Sequence, residues 1–167
     1  MTYAGEVLER FGMGSYNPVK NPIVPGTKLV KDSGEANINL TLFKQIIGSL
    51  MYLSVTRPEI MFVVYLLSKF MTNSKISHMA AAKRVLRYVK GTVNLGVFYK
   101  RGAENVGNLG VNYENSSDNL EAYTDSDYAG DIEDIRSTYG YVFLLNGGAV
   151  AWRSRKQPVV TLSTTKA

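Results

Sequence analysis

EAYTDSDYAGDIEDIRSTYGYVFLLNGGAVAWRSRKQ, residues 121–157, contains three runs of β-forming side chains, and polar residues separate these runs. Between the second and third runs stands Asn146-Gly147, a dipeptide typical of a type I′ turn because both central residues of that turn need a positive φ. A two-residue connection of this kind joins neighbouring antiparallel strands. We therefore predict an antiparallel β-meander in this part of the chain.

Three helices are predicted upstream of the meander, because apolar residues recur there at helical spacing and capping residues stand at the expected positions. They cover residues 42–56, 58–72 and 78–92. The proposed boundary residues are Thr41 or a neighbour as the first cap, Pro58 as a first helical residue, Ser77 as the last cap, and Gly91 as the stop.

Shorter elements are also predicted. Residues 5–13 form a short amphipathic segment, and the proline-containing residues 16–39 should run extended over a surface. Residues 95–99 have the composition of a strand, and the STTKA sequence at 163–167 begins like a helix.

The predicted fold class is α+β, with a helical segment followed by the antiparallel meander. We place the helical segment at residues 1–105, a linker rich in Gly, Asn and Ser at 106–118, and the sheet-forming part at 119–167.

Composition restricts the chemistry that the chain can carry. Its 167 residues include no Cys and one His, so we expect no disulfide, no thiolate chemistry and no zinc site. The most apolar stretch, residues 46–67, is interrupted by charged residues and a proline, which indicates core helices. The sequence predicts no membrane span and no secretory signal, and hence an intracellular location in the cytoplasm or the nucleus.

Charge is distributed unevenly along the chain. Residues 1–105 carry 14 Lys and Arg against 6 Asp and Glu, a net charge of +8, whereas residues 106–167 carry 5 against 8, a net charge of −3. This division suggests an anionic partner for the first part and a cation for the second. Ordinary surface charge explains it equally well.

Two groups of cations are candidates for nucleic-acid binding. On the third predicted helix, Lys83, Arg87 and Lys90 share one face with Arg84 beside them, a spacing that can track a phosphate backbone. In the last run of the meander, Arg153 and Arg155 alternate onto one face. A solvated polar face is the alternative in both cases, and Trp152 is better suited to a core than to base stacking.

The carboxylates near residue 125 are candidates for a metal site. Strand alternation places Asp125 and Asp127 on one side and Thr124 on the other. Two like charges so close together are unfavourable unless solvent or a divalent cation neutralises them. Asp131, Glu133 and Asp134 lie in a predicted loop, where solvation is the simpler explanation.

Several motifs together resemble the pol polyprotein of copia-type LTR retrotransposons. The matching segments are FKQIIGSLMYLSVTRPEIMFVVYLLSKFM, HMAAAKRVLRYVKGT and YTDSDYAGDIEDIRSTYGYVFLLNGGAVAWRSRKQPVVTLSTTKA, in the order that the family shows. The resemblance implies the junction between the thumb and connection of a reverse transcriptase and the first half of ribonuclease H. It therefore implies an incomplete ribonuclease H-like fold for residues 119–167.

The same resemblance assigns functional roles. It implies that Asp125, in YTDSD, is the first metal-binding carboxylate of ribonuclease H, with Mg²⁺ as the cofactor. The implied partners are an RNA–DNA hybrid or template–primer duplex and the remainder of the pol polyprotein, and the parent element would place the protein in a virus-like particle.

The family pattern continues past STTKA into a second carboxylate, and this sequence stops at Ala167. The polymerase Tyr-x-Asp-Asp motif is also absent from these residues. We therefore expect a chain that binds Mg²⁺ weakly or not at all and is inactive alone as a polymerase or ribonuclease H. The alternative hypothesis is a non-catalytic module, from a degenerate element copy, that binds nucleic acid or protein.

Overall fold

The computed structural model describes residues 2–31, 34–98, 119–127 and 135–160. The helical elements there are α1 (Tyr3–Arg10), α2 (Leu40–Leu53), a 3₁₀ turn (Pro58–Ile60), α3 (Met61–Ser68) and α4 (Ile76–Gly91). The strands are β1 (Leu120–Ser126), β2 (Thr138–Leu145) and β3 (Gly148–Lys156). The α+β class and the order of helices before an antiparallel sheet are confirmed.

The hydrophobic core lies among the four helices of the described residues. Phe43, Ile47 and Leu50 of α2 are completely buried, as are Val85 and Leu86 of α4. These side chains recur three or four positions apart and so form the apolar face of each helix. None of the helices in the described part of the chain has the length and apolar character that a bilayer-spanning helix requires.

Helix boundaries follow local chemistry where a capping group is present. Asn39 caps α2, since its side-chain oxygen accepts a hydrogen bond from the Leu42 amide at 3.0 Å. Pro58 does begin a helical element, but that element is a 3₁₀ turn, and the α-helix follows it from Met61. Proline suits this position because the first amides of a helix have no intrahelical acceptor.

Two predicted features are wrong. Helix α4 begins at Ile76, so Ser77 lies within its first turn, and the Ser77 amide donates to the Glu35 carboxylate at 2.8 Å. The distant Glu35 thus accepts from one of the first-turn amides, which have no acceptor within the helix. Residues 95–98 form no strand, while residue 99 and the predicted helix start at 163–167 lie outside the described residues.

The extended segment and the meander are as predicted. Residues 16–36 contain no helix or strand among the described positions, and Asn37 forms a single bridge with Lys75. The strands pair in the order β1-β2-β3, antiparallel throughout. Asn146 and Gly147 have φ values of 52° and 79°, which is the conformation that a type I′ turn requires.

We predict opposite effects for the same substitution at two glycines. Gly147→Ala should lower the free energy of unfolding by about 1 kcal/mol, because a Cβ is unfavourable at positive φ. Gly48→Ala in α2 should raise it by roughly 0.5–1 kcal/mol, because a Cβ there meets no atom within 4 Å and alanine favours the helix. Urea denaturation measures both values, and a gain in stability at Gly147 would contradict the assigned turn.

A buried arginine connects the start of the 3₁₀ turn to the end of α4. Arg57 is 3% exposed, and its guanidinium donates to the Thr92 carbonyl at 3.1 Å and the Thr92 hydroxyl at 2.6 Å. The Arg57 Nε also donates to the Glu59 carboxylate. These contacts neutralise a buried charge and satisfy groups at a helix terminus.

Replacing Arg57 should destabilise the whole helical part. We expect Arg57→Ala to lower the free energy of unfolding by about 3 kcal/mol, because the charge-assisted hydrogen bonds are lost and the Thr92 groups lose their donors. The exposed Lys44→Ala, in α2, is the control and should change stability by less than about 0.5 kcal/mol. Equal urea midpoints for the two variants would show that the Arg57 contacts contribute nothing.

Candidate functional site

The sheet is attached to the helices through one of its faces. On β3, the Trp152 indole N–H donates to the Ser54 carbonyl at 3.0 Å, and the Lys156 amide donates to the Tyr65 hydroxyl at 3.0 Å. Trp152 is half-buried at this contact, in agreement with the prediction that it serves packing. The other face of β3 carries Arg153 and Arg155, which are exposed. The predicted alternation of these side chains is therefore confirmed.

A cleft of about 700 Å³ lies between this sheet face and the 3₁₀ turn with the start of α3. We call it the Asp125 cleft. Pro58, Met61 and Phe62 line its helical side, and Asp125 and Trp152 belong to its sheet side. Because β3 contacts the helices and β1 is the opposite edge strand, Asp125 lies at the open side of the cleft and is exposed.

The register of the sheet leaves space beside the Asp125 carboxylate. Asp125 pairs across the strands with Gly140, and Gly140 pairs with Ser154. Side chains in such a row share one face of the sheet, and glycine contributes none. The surface next to Asp125 is thus backbone and a small hydroxyl side chain, which leaves room for a ligand.

The other acids near the cleft are partly engaged. Asp127 lines the same cleft, as predicted from alternation, and its Oδ1 accepts a hydrogen bond from the Thr138 amide at 2.6 Å. Glu59 lines it as well and forms the ion pair with Arg57. Asp125 makes neither of these contacts and is exposed, so its carboxylate is accessible to solvent and ligands.

A tyrosine hydroxyl lies at the rim of the cleft. Tyr123 Oη donates to the Glu121 carboxylate at 2.7 Å, and this hydrogen bond, together with the negative charge of Glu121, raises the pKa of Tyr123 above its ordinary value. The hydroxyl is therefore neutral at physiological pH and is already used as a donor.

The carboxylates of the Asp125 cleft supply part of the ligand set that a hydrated magnesium ion needs. In the ranges that the structure describes, no three His, Asp or Glu side chains come together as a metal cage. Mg²⁺ keeps several of its waters and is commonly bound through one or two carboxylates. Asp125 suits that type of weak, largely hydrated binding, and Asp127 is the nearest carboxylate in the sequence that lines the same cleft.

The predicted cation row of α4 has the expected placement, but two of its members contact the chain itself. Arg87 Nε donates to the Asn17 carbonyl at 2.7 Å, and Lys90 Nζ donates to the carbonyls of Gly14 and Tyr16, both at 2.6 Å. These bonds fix the extended segment across α4. Lys83 is exposed and Arg84 is half-buried.

A second cavity, of about 540 Å³, adjoins the Asp125 cleft and shares Phe62, Asp127 and Thr138 with it. Four lysines line this cavity, which we call the lysine pocket: Lys28, Lys31, Lys69 and Lys156. No local pattern in the sequence unites all four, because Lys28 and Lys31 belong to the extended segment, Lys69 follows α3 and Lys156 ends β3. Their proximity in the fold is the only signal that unites them.

The chain has extensive similarity to known proteins. It is 39% identical over 165 residues to the retrovirus-related Pol polyprotein from transposon RE1 of Arabidopsis thaliana, and 37% identical over 172 residues to that from transposon TNT 1-94 of Nicotiana tabacum. Each alignment includes 99% of this chain. The chain is homologous to a segment of these copia-type Pol polyproteins. It spans only 10% and 12% of their respective lengths.

A much smaller protein also matches this Pol-related chain. Secreted RxLR effector protein 161 of Plasmopara viticola is 42% identical over 121 residues, which is 72% of this chain and 76% of that protein. No protein-family model matches the chain, and no solved structure does.

We predict a structural effect for the two engaged cations of α4 in this Pol-related chain. Arg87→Ala and Lys90→Ala should each increase amide hydrogen exchange in residues 14–19 by about fivefold, the equivalent of ~1 kcal/mol for a lost hydrogen bond. Lys83→Ala, on the same helix but exposed, is the control and should leave this exchange unchanged. Equal exchange in all three variants would mean that the segment is held by other contacts.

Proposed function

We propose that the chain is the part of a transposon Pol polyprotein that connects the thumb and connection of reverse transcriptase to the beginning of ribonuclease H. Its proposed role is to bind an RNA–DNA hybrid or template–primer duplex, with Mg²⁺ at Asp125. The observation that carries this proposal is the position of Asp125, from the YTDSD motif, at the open side of a cleft whose neighbouring cavity is lined by lysines.

The arrangement of charges supports this assignment. A nucleic-acid backbone needs cations along its phosphates, and hydrolysis of that backbone uses divalent metal ions held by carboxylates. Asp125 is exposed on β1, and Gly140, its partner across the strands, contributes no side chain to the adjacent surface. A phosphate group that approaches Asp125 would therefore meet backbone rather than a bulky residue.

A bound Mg²⁺ would neutralise phosphate charge and polarise a water molecule. Within the described residues, Asp125 is the proposed protein ligand, and we infer binding in the millimolar range because one carboxylate leaves the ion largely hydrated. The remainder of the polyprotein is the proposed structural context in which further ligands would be supplied.

A protein-interaction module is the second candidate function. It is favoured by the similarity to the small Plasmopara viticola protein, of which this chain covers 76%. The sheet face opposite the cleft is consistent with it, since Leu120 is 62% exposed and Phe143 and Leu145 are each 37% exposed. Apolar side chains grouped in this way on a surface are common at protein contacts.

Asp125→Asn should abolish the effect of Mg²⁺ on hybrid binding. Without Mg²⁺, the variant should bind a labelled RNA–DNA hybrid up to about fivefold more tightly, because a like charge worth ~1 kcal/mol beside the phosphates is removed. With millimolar Mg²⁺, the unmodified chain should gain affinity and the variant should not. Fluorescence anisotropy at fixed ionic strength measures both affinities.

Glu6→Gln provides the matched control, because Glu6 is an exposed acid on α1 and lines neither cavity. It should follow the unmodified chain with and without Mg²⁺. If Asp125→Asn kept the full Mg²⁺ response, Asp125 would not be the ligand. If the folded chain bound no hybrid even at low salt, the protein-interaction module would become the better explanation.

A further inference from the structure

We propose that the lysine pocket binds phosphate groups of the same nucleic-acid strand that passes Asp125, so that the strand contacts both cavities. This inference rests on the proposed function and adds a binding site to it. The pocket is formed by the extended segment, the C-terminal part of α3 and the end of β3. It therefore exists only when the sheet is attached to the helices.

The charge of the pocket favours an anion. Four lysines line it against one acid, Asp127, a formal net charge of +3 among the lining residues. The Asp127 carboxylate already accepts the Thr138 amide hydrogen bond, which offsets part of its charge. Lys28 and Lys31 are exposed, while Lys69 and Lys156 are half-buried, so the positive field extends from the pocket wall to its mouth.

The two cavities are complementary in sign and continuous in space. The Asp125 cleft has three lining acids, Glu59, Asp125 and Asp127, whereas the adjoining pocket has the lysines. Phe62 lies on the wall common to both and is 44% exposed. A nucleic-acid strand alternates charged phosphates with apolar sugar and base surfaces. Such a strand suits a metal-ion site in the Asp125 cleft and lysines in the adjoining pocket, with the aromatic Phe62 between them.

Two of the cations of α4 are already bound to the chain itself. Arg87 and Lys90 already donate to backbone carbonyls of residues 14–17. A phosphate bound there would have to compete with those hydrogen bonds. The lysine pocket has a volume of about 540 Å³, which accommodates a phosphate with its waters beside the lining lysines.

The test is a salt series of hybrid affinity, measured by fluorescence anisotropy without Mg²⁺. Lys28→Gln should reduce the slope of log affinity against log salt by about one unit, and the pair Lys28→Gln with Lys156→Gln by about two. Lys44→Gln is the control, because Lys44 is exposed on α2 and lines neither cavity. It should leave the slope unchanged.

Lys28 lies on an exposed part of the extended segment, so Lys28→Gln keeps the test valid if the double variant fails to fold. Hybrid binding with the same slope in Lys28→Gln and Lys44→Gln would overturn the pocket but leave the proposed function intact. No hybrid binding by the unmodified chain would overturn the proposed function.

An acidic peptide and inorganic pyrophosphate serve as competing probes. We expect pyrophosphate to displace the hybrid from the unmodified chain more effectively than from Lys28→Gln. If a poly-glutamate peptide bound with the same dependence on Lys28 and the hybrid did not bind, the pocket would be a site for acidic proteins and the nucleic-acid assignment would be wrong.

Discussion

The attachment of β3 to the helices is the interaction on which both cavities depend. The Trp152 indole donates to the C-cap of α2, at Ser54, and the Tyr65 side chain of α3 accepts the Lys156 amide. These two hydrogen bonds lie near the middle and the end of β3. They hold the sheet at a fixed distance from the 3₁₀ turn and α3, while the distant edge strand β1 extends over open space. A cleft under one sheet face is the direct consequence.

The attached sheet makes little contribution to the core. Among the described residues, every fully buried apolar side chain belongs to the chain up to Val89, and the buried positions of the sheet region are Ser137, Thr138 and Gly148. A three-stranded sheet of this kind needs another surface to pack against for its stability. The helical core can therefore supply stability, while the sheet supplies the exposed carboxylate and the lining of the cavities.

Basic residues serve two different purposes in this structure. Arg57, Arg87 and Lys90 donate to carbonyl or hydroxyl groups of the chain itself and so connect segments that are far apart in sequence. The pocket lysines face an open volume. Net charge alone does not distinguish these roles, because every one of these cations except Lys156 belongs to the basic first part of the chain. The fold places some of these cations against distant carbonyl groups and others in the lining of the lysine pocket.

The sequence by itself determined the class of the fold and the faces of its elements. Helical periodicity identified the apolar sides of α2 and α4, the Asn146-Gly147 pair identified the hairpin, and alternation placed Asp125 with Asp127, because each of these features depends on the local backbone. Residue types alone left the role of Asp125 open. Tertiary structure decided which residues Arg87 and Lys90 contact, where α4 begins, and that four lysines from three parts of the chain line one cavity. Those outcomes depend on the placement of residues far apart in sequence, up to the 128 positions between Lys28 and Lys156 in the lining of one pocket, which no local pattern encodes.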